Sequence, residues 1–514
     1  MSKLPFSRRT FLNKCAIGMA SLAFLDRLNN NVYGNSKKKP NILWLIAEDL
    51  SQDLGCYGDQ IVKTPNMDKL ASEGARYTNA FATSTVCSPS RSAFMTGMYQ
   101  TTIGAHHHRS HRDDGYVLPK PVEVITSYFR KAGYFTSCCQ DAEWKRPGKT
   151  DFNFTLSKTF DGTDWRQRKS GQPFFAQVNF NETHRVFAND HENPVDPNKV
   201  TVPPYYPDHP ITRKDWANYL ECIQVLDKKV GQVLKRLEED GLADNTLVFF
   251  FADHGRPHVR DKEFLYDGGI RVPLIIRWPG HIRPGSVVDD MISAIDFGPT
   301  CLSFAGIKPP SHMQGRVFMG KGALKRKHIF AARDRCGSTF DRIRCVQTKK
   351  FKYIRNFYPQ ISAFTQSNCY KRELYPVLTL MEVLWSQGKL TPEQAQFMSS
   401  TRPKEELYDL QNDPHQIYNL AGDAKYRAKL NELADVLDKW IRETNDQGEI
   451  PEDPKIAAYW HNIYYHRDLC KKMKARGLAP DCSPAEYLKF WEKELLSDKP
   501  SDSKDKDTES GLRI

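Results

Sequence analysis

The sequence predicts an α/β protein: a large mixed, mostly parallel sheet flanked by helices, with a smaller C-terminal α+β domain. Three observations carry that reading. Residues 41–47, 174–180 and 246–252 are continuous apolar runs, the pattern of strands covered by helices on both sheet faces. Between the last two, Tyr219, Ile223, Leu226, Val230, Leu234 and Leu237 recur at intervals of three and four, which predicts a helix over residues 214–239 closed by Gly241. Strand, helix and strand in that order argue a parallel sheet. Beyond residue 320 the pattern changes to short runs such as Ile329-Phe330-Ala331-Ala332 and Phe351-Lys352-Tyr353-Ile354, which read as antiparallel strands. Helices are expected near 381–398 and over 425–442.

The 514 residues are too many for one small domain. The division expected is a leader over 1–34, a catalytic domain over 38–320, a smaller domain over 321–496 and a disordered tail over 497–514, where Asp, Lys and Ser alternate. The leader reads as a twin-arginine export signal: Arg8-Arg9 precede an apolar stretch from Cys15 to Leu25, and polar residues follow. Cys15 lacks the flanking residues of a lipid-anchor signal, and no apolar run reaches the roughly 18–20 residues of a membrane span. Export to the periplasm or medium without a stable membrane anchor is therefore expected. Apolar residues at 39% and charged residues at 26% are those of a soluble enzyme. The formal charge is +12, and residues 1–34 hold five of the basic side chains against Asp26, which leaves +8 on the remainder. That excess suits a polyanionic substrate, and equally a solvated basic surface. No nucleic-acid motif is present, and the twelve cysteines form no C-x-x-C pair of the zinc-ribbon kind. Cys138-Cys139 read as part of a buried strand, and Cys336/Cys345 and Cys470/Cys482 as candidate disulfides after export.

Each of the three apolar strands ends in polar chemistry. Glu48-Asp49 follow the first, His184 follows the second, and Asp253-His254-Gly255 follow the third. Ligands of open α/β sheets bind outside the carboxyl ends of the strands, so these residues point to one shared site. Cys87-Ser88-Pro89-Ser90-Arg91 supplies its nucleophile. Pro89 belongs to the first turn of a helix, Gly97 marks the stop, and a thiol at a helix N-terminus faces free N–H groups and the positive end of the dipole. Taken alone, the pentapeptide also fits a buried structural cysteine.

The cysteine motif, Thr64-Pro65-Asn66-Met67-Asp68, Asp253-His254-Gly255, Gly268-Gly269-Ile270-Arg271-Val272-Pro273 and Leu407-Tyr408-Asp409-Leu410 occur in an order that resembles the type I formylglycine-dependent sulfatases of the alkaline-phosphatase superfamily. The resemblance spans residues 38–445. It implies that a maturation enzyme oxidises Cys87 to formylglycine, whose hydrate attacks sulfur, the sugar leaves, and sulfate is then eliminated. It places Glu48, Asp49, Asp253 and His254 where the family binds one calcium ion, with the modified Cys87 beside it. Two departures stand out: Glu48 replaces the usual aspartate, and His254 stands where asparagine is common, although imidazole is a poor calcium ligand. Arg91 adds a fixed positive charge near Cys87, Lys262 matches the position of a lysine that contacts sulfate, and His184 matches the histidine that binds sulfate or protonates the leaving alcohol. The family's Gly-Lys-x-His is missing after Gly133-Tyr134-Phe135-Thr136. Lys149-Thr150-Asp151 resembles a displaced variant, with Lys149 on sulfate and Asp151 as the base that regenerates the aldehyde.

His106-His107-His108 invites a metal reading, but consecutive residues rarely share one ion. His106 and His107 are expected to line a sugar pocket instead, and Arg335 to contact a polyanion from the second domain. The implied substrate is the sulfate ester, or N-sulfate, of a sulfated oligosaccharide or polysaccharide, algal such as ulvan or carrageenan, or a glycosaminoglycan. Two rivals share the fold: a phosphoester or phosphonate hydrolase, and a non-catalytic glycan-binding relative.

Overall fold

The computed structural model describes residues 39–111, 114–364 and 369–497. The expected leader and all but the first residue of the expected tail lie outside the described residues. Eight strands form the main sheet: β1 (Asn41–Ala47), β2 (Ala75–Phe81), β3 (Phe135–Gln140), β4 (Arg146–Pro147), β5 (Phe174–Phe180), β6 (Thr246–Ala252), β7 (Arg271–Arg277) and β8 (Ser286–Ser293). Their order is β4-β3-β5-β1-β6-β7-β2-β8. The run β3, β5, β1 and β6 is parallel throughout. β4 pairs antiparallel with β3, β7 antiparallel with both β6 and β2, and β8 parallel with β2. The sheet is thus mixed and mostly parallel at its centre, as its continuous apolar strands require.

Register fixes the level at which the chain leaves the sheet. Ala47 is paired with Phe180 on one side and Ala252 on the other, so Glu48, Asn181 and Asp253 emerge side by side. Trp44 in the middle of β1 is fully buried and meets Phe175 and Phe251 edge-on at 5.1 and 5.3 Å and Phe94 at 6.0 Å. Burying one such indole contributes at most about 4–6 kcal/mol. Phe94 belongs to helix α1 (Cys87–Thr96), so the same contacts seat the cysteine helix on the sheet. Gly97 ends α1 with φ +66° and donates its N–H to the Ala93 carbonyl. Any side chain there would strain this left-handed turn and crowd Met313.

Helix α2 (Pro210–Glu239) begins four residues before the start expected at 214. His209 caps it by accepting from the Ile211 N–H, and Pro210 opens the first turn. The helix expected over 381–398 is interrupted. Pro376–Ser386 ends before Gly388 at φ +66°, and a fresh turn starts at Pro392. A short helix, α3 (Cys369–Leu374), precedes it.

The second sheet holds β9 (Ile329–Arg333), β10 (Ile343–Gln347), β11 (Phe351–Asn356) and β12 (Glu405–Asp409), all antiparallel in the order β12-β11-β10-β9. Helix α4 (Arg427–Glu443) covers it with Leu430, Leu433, Leu437 and Trp440. These side chains share one cluster with Ala93 and Tyr99, so the back of α1 is packed against the second sheet. Helices from Pro454 to Leu496 complete the described chain. Among the described residues no helix is long and apolar enough to cross a membrane.

The described cysteines are free thiols, which corrects the disulfide expectation. The Cys336 thiol bonds the Asp334 carbonyl, whereas Cys345 points into a core with Phe81, Ile329 and Tyr408. Cys482 packs against Leu469, Met473 and Trp491.

Candidate active site

The strand ends deliver the acidic half of the site. Backbone bonds from Glu48 N–H to Phe180, Asp253 N–H to Ala47 and Leu50 N–H to His254 stitch the three exits together at 3.0–3.1 Å. Asp253 Oδ1 accepts from the Asp49 and His254 N–H groups. Cys87 opens α1 and is 2% exposed, with its Sγ 3.5 Å from His254 Nε2. Ser90, one turn on, donates to the Asp253 carbonyl at 2.5 Å and fixes the height of the helix over β6.

Buried cations surround these carboxylates. Arg91 Nε donates to Asp253 Oδ2 at 3.0 Å, its Nη1 to Asn179 Oδ1 at 2.7 Å, and its Nη2 lies 3.8 Å from Glu48. Lys149 Nζ donates to Glu48 Oε2 at 2.9 Å, and Lys262 Nζ to Asp49 Oδ2 at 2.5 Å. Lys149 gets there because Gly148 passes hard against β3 and β5. A Cβ at Gly148 would come within 2.5 Å of the Cys138 thiol and the Cys139 carbonyl.

Burial pushes the Glu48, Asp49 and Asp253 carboxyls up. Lys149 and Arg91 outweigh it at Glu48, Lys262 and His184 at Asp49, and His254 and Arg91 at Asp253, so all three are held below the usual range. His254 moves the other way. Burial disfavours its charge, but Asp253 and Asp49 prevail and raise it to about 9. Its Nδ1 donates to the Gly255 carbonyl, which leaves Nε2 facing Asp49 Oδ1 at 3.2 Å and Cys87.

His184 stands beside this cluster, its Nδ1 2.6 Å from the Arg185 carbonyl and its Nε2 3.4 Å from the Tyr370 hydroxyl. Burial and then Lys262 lower it to about 4, so the ring is neutral. Arg185 holds the turn through two bonds to Asp215 at 2.6 and 2.7 Å. Ligand atoms of Asp49, Cys87 and His254 lie within 4.8 Å of one another, as do those of Glu48, Asp49 and His184. Glu48 and Asp253 adjoin the first group, so it gathers the most carboxylate oxygens around one point and is the one arranged for a cation.

The structure therefore brings together Glu48, Asp49, Cys87, Arg91, Lys149, Asp151, His184, Asp253, His254 and Lys262. Asp151 differs from expectation in its chemistry. Arg109 grips both its oxygens, Nε to Oδ1 at 3.1 Å and Nη2 to Oδ2 at 3.2 Å. Burial raises the carboxyl, but Arg109 and Lys149 hold it far below the usual range. A carboxylate so held is a poor base, and its position suits it to orienting Arg109 and Lys149.

His106, His107 and Arg335 are corrections. Each histidine is 6% exposed and Arg335 is 1% exposed. They fill the seam between the loop after α1 and the second sheet. The Arg335 guanidinium is paired with Glu452 and also donates to the Gly337 and His108 carbonyls, so four of its five N–H donors are engaged within the protein and its charge is matched by Glu452. His107 Nδ1 accepts from the Arg335 N–H. Sequence reasoning missed Arg109, although it adjoins the histidine run that was singled out, and its N–H reaches Ser88 Oγ, next to Cys87, at 2.9 Å. It also missed Tyr370, which no local pattern marks.

The sulfatase family model matches residues 40–307, which carry every strand of this site. This chain belongs to the sulfatase family. The model for the C-terminal part of N-sulphoglucosamine sulphohydrolase matches residues 255–371. An ulvan-active sulfatase of Formosa agariphila is 36% identical to this sulfatase over 476 residues, covering 82% of this chain and 78% of the relative. The human N-sulphoglucosamine sulphohydrolase is 27% identical over 474 residues, covering 81% and 92%. A protein solved with its substrate D-glucosamine-2-N,6-O-disulfate shares the fold at a TM-score of 0.57 and 20% identity, covering 80% of this chain and all of the other. The phosphonate monoester hydrolase of Silicibacter pomeroyi shares it equally well, at a TM-score of 0.57 and 17% identity over 80% of this chain and 96% of its own.

Proposed function

We propose that this sulfatase is an exported enzyme that removes sulfate from an algal polysaccharide of the ulvan kind, through formylglycine made from Cys87. The observation that carries the substrate class is the 36% identity, over most of both chains, to the ulvan-active sulfatase. Residues 38–320 form the catalytic domain and 321–496 the smaller one. The leader over 1–34 directs export, and a maturation enzyme acts on Cys87 beforehand.

The site fits one divalent cation, and calcium is the ion proposed. Glu48, Asp49 and Asp253 offer the oxygen donors a hard cation takes, and Asp49 Oδ1 is buried without a hydrogen-bond partner. The raised His254 supports this, because a positive charge is what its carboxylate neighbours favour at that spot. Glu48, Asp49, Asp253 and His254 would hold the ion, which supplies positive charge beside the sulfate oxygens. Formylglycine supplies a hydrated aldehyde whose hydroxyl is the nucleophile.

The chain's own groups do the rest. Arg91 and Lys149 keep the nucleophile corner positive, and their ion pairs preorganise them for charge that develops on the sulfuryl oxygens. Lys262 faces the same corner from the opposite side. Asp151 and Arg109 brace Lys149 from behind. His184 sits where the sugar oxygen departs.

The test is sulfate release from a panel: ulvan oligosaccharides, carrageenan oligosaccharides, D-glucosamine-2-N,6-O-disulfate and 4-nitrophenyl phosphate. Turnover of ulvan oligosaccharides above the rest is the expected result. Preference for another sulfated sugar overturns the ulvan reading, and faster turnover of the phosphate overturns the sulfated-substrate reading.

A further inference from the structure

Tyr370 reaches the site from α3, outside the strand ends that carry most of the cluster. Its hydroxyl lies 3.4 Å from His184 Nε2, its ring centroid 5.7 Å from the imidazole, and Lys262 Nζ 5.2 Å from that centroid. The direction of the hydroxyl bond follows from the far side of the imidazole. A carbonyl oxygen only accepts, so His184 Nδ1, 2.6 Å from the Arg185 carbonyl, carries the ring's proton. In the neutral ring, Nε2 is then a lone pair, and Tyr370 donates to it. The proton at this corner sits on the tyrosine oxygen, not on His184.

Tyr370 is also held in place. Its neighbour Lys371 donates to the Val259 and Lys262 carbonyls, both at 2.7 Å, which ties α3 to the loop carrying Lys262. Arg185 donates to the Leu374 carbonyl at 3.0 Å and lies over the Tyr375 ring, which ties the other end of α3 to the turn carrying His184. One short helix thus spans two site elements and presents a single hydroxyl between them.

We propose that Tyr370 is a further catalytic residue, whose hydroxyl gives its proton to the bridging ester oxygen as the sugar leaves, with His184 aligning it. The inference rests on the reading of this site as a sulfate-ester hydrolase. In the step, the hydroxyl that position 87 would supply forms the new O–S bond, the S–O bond to the sugar breaks, and its electron pair stays on the sugar oxygen. That oxygen takes the Tyr370 proton, and the phenolate left behind faces the Lys262 ammonium until water restores the proton. Burial raises the Tyr370 hydroxyl above its ordinary range, so it keeps its proton at working pH and releases it only to a stronger base, such as a sugar alkoxide.

The leaving group makes the proposal testable. A sugar alkoxide needs a proton, whereas 4-nitrophenolate departs without one. Tyr370→Phe is compared with wild type, both matured and metal-loaded, on ulvan oligosaccharides, D-glucosamine-2-N,6-O-disulfate and 4-nitrophenyl sulfate. The thermal shift given by inorganic sulfate is measured in parallel. The expected result is a loss of about 100-fold in kcat on the sugar wild type turns over, about threefold or less on the aryl sulfate, and an unchanged sulfate shift. Equal losses on both leaving groups, a negligible loss on the sugar, or a lost sulfate shift would each overturn the proposal. Wild type acting on the disulfated glucosamine and not on ulvan would refute the substrate reading while still testing Tyr370.

Discussion

At the ends of β1, β5 and β6 the site is held by the sheet's own hydrogen bonds, whereas on the facing wall Lys149, Asp151, Arg109 and Tyr370 are held largely through side-chain contacts. Glu48, Asp49, Asp253 and His254 take their places because adjoining strands run in register to the same level. The wall is a lattice of ion pairs and a hydrogen bond between segments far apart in sequence: Arg109 to Asp151 and Lys149 to Glu48 as ion pairs, Tyr370 to His184 as a hydrogen bond. Strand register therefore keeps the backbone of a sheet-mounted residue's neighbours in place when it is exchanged, although Arg91, Lys149 or Lys262 loses its partner when a carboxylate is removed. Removing one member of the wall leaves a buried charge or donor unmatched.

Cys87→Ser breaks the comparison most sharply on the activity side. Turnover should fall by about 10⁴-fold or more, with the urea midpoint close to wild type, because serine keeps the shape of the thiol and can bond His254 in its place. Asp151→Asn should show the opposite balance. Removing one partner of the buried Arg109 pair costs about 3–5 kcal/mol, read as a lower urea midpoint at unchanged slope. Asp151→Leu combined with Arg109→Met should cost less than the two single changes together, as expected for interlocked charges.

The strand ends and the seam of buried histidines should also respond to pH with opposite sign. His254, raised to about 9 by Asp253 and Asp49 against burial, adds stability to the metal-free protein that is complete below about 6.5 and fades as pH climbs through 9. His106 and His107, which lie in the seam against the second sheet, are lowered to about 3, by burial first and then by Arg344 and His106 respectively. Their contribution is complete above 6.5 and is lost as pH falls toward 3, because the unfolded chain then binds protons the folded one refuses. Melting temperature against pH for wild type, His254→Asn and His106→Asn checks both signs. The first variant should flatten the alkaline fall and the second should soften the acid one. The smallest effect is expected at Gly97→Ala, about 1 kcal/mol, with catalysis nearly intact.

What the sequence made legible follows the same division. Strands whose two faces are both buried must be apolar throughout, and their ends must carry the polar chemistry, so Glu48, Asp49, Asp253 and His254 could be read from position alone. The Cys87 helix was legible from Pro89 and Gly97, since both act through local backbone geometry. The start of α2 was missed by four residues because a proline opens a helix ahead of its apolar stripe. The helix expected over 381–398 proved to be two, because Gly388 and Pro392 outrank periodicity. Arg109 and Tyr370 had no local signal, since their roles arise from partners 42 and 186 residues away. His106, His107 and Arg335 were misplaced for the same reason: Glu452, which engages Arg335, is contributed from 117 residues on.

The most direct test of the account is mass spectrometry of the tryptic peptide spanning residues 77–91, from protein made with a sulfatase-maturation enzyme. Formylglycine at position 87, with the neighbouring serines unmodified, is the predicted result. An intact thiol at Cys87 under those conditions, in protein that nonetheless releases sulfate, would contradict it.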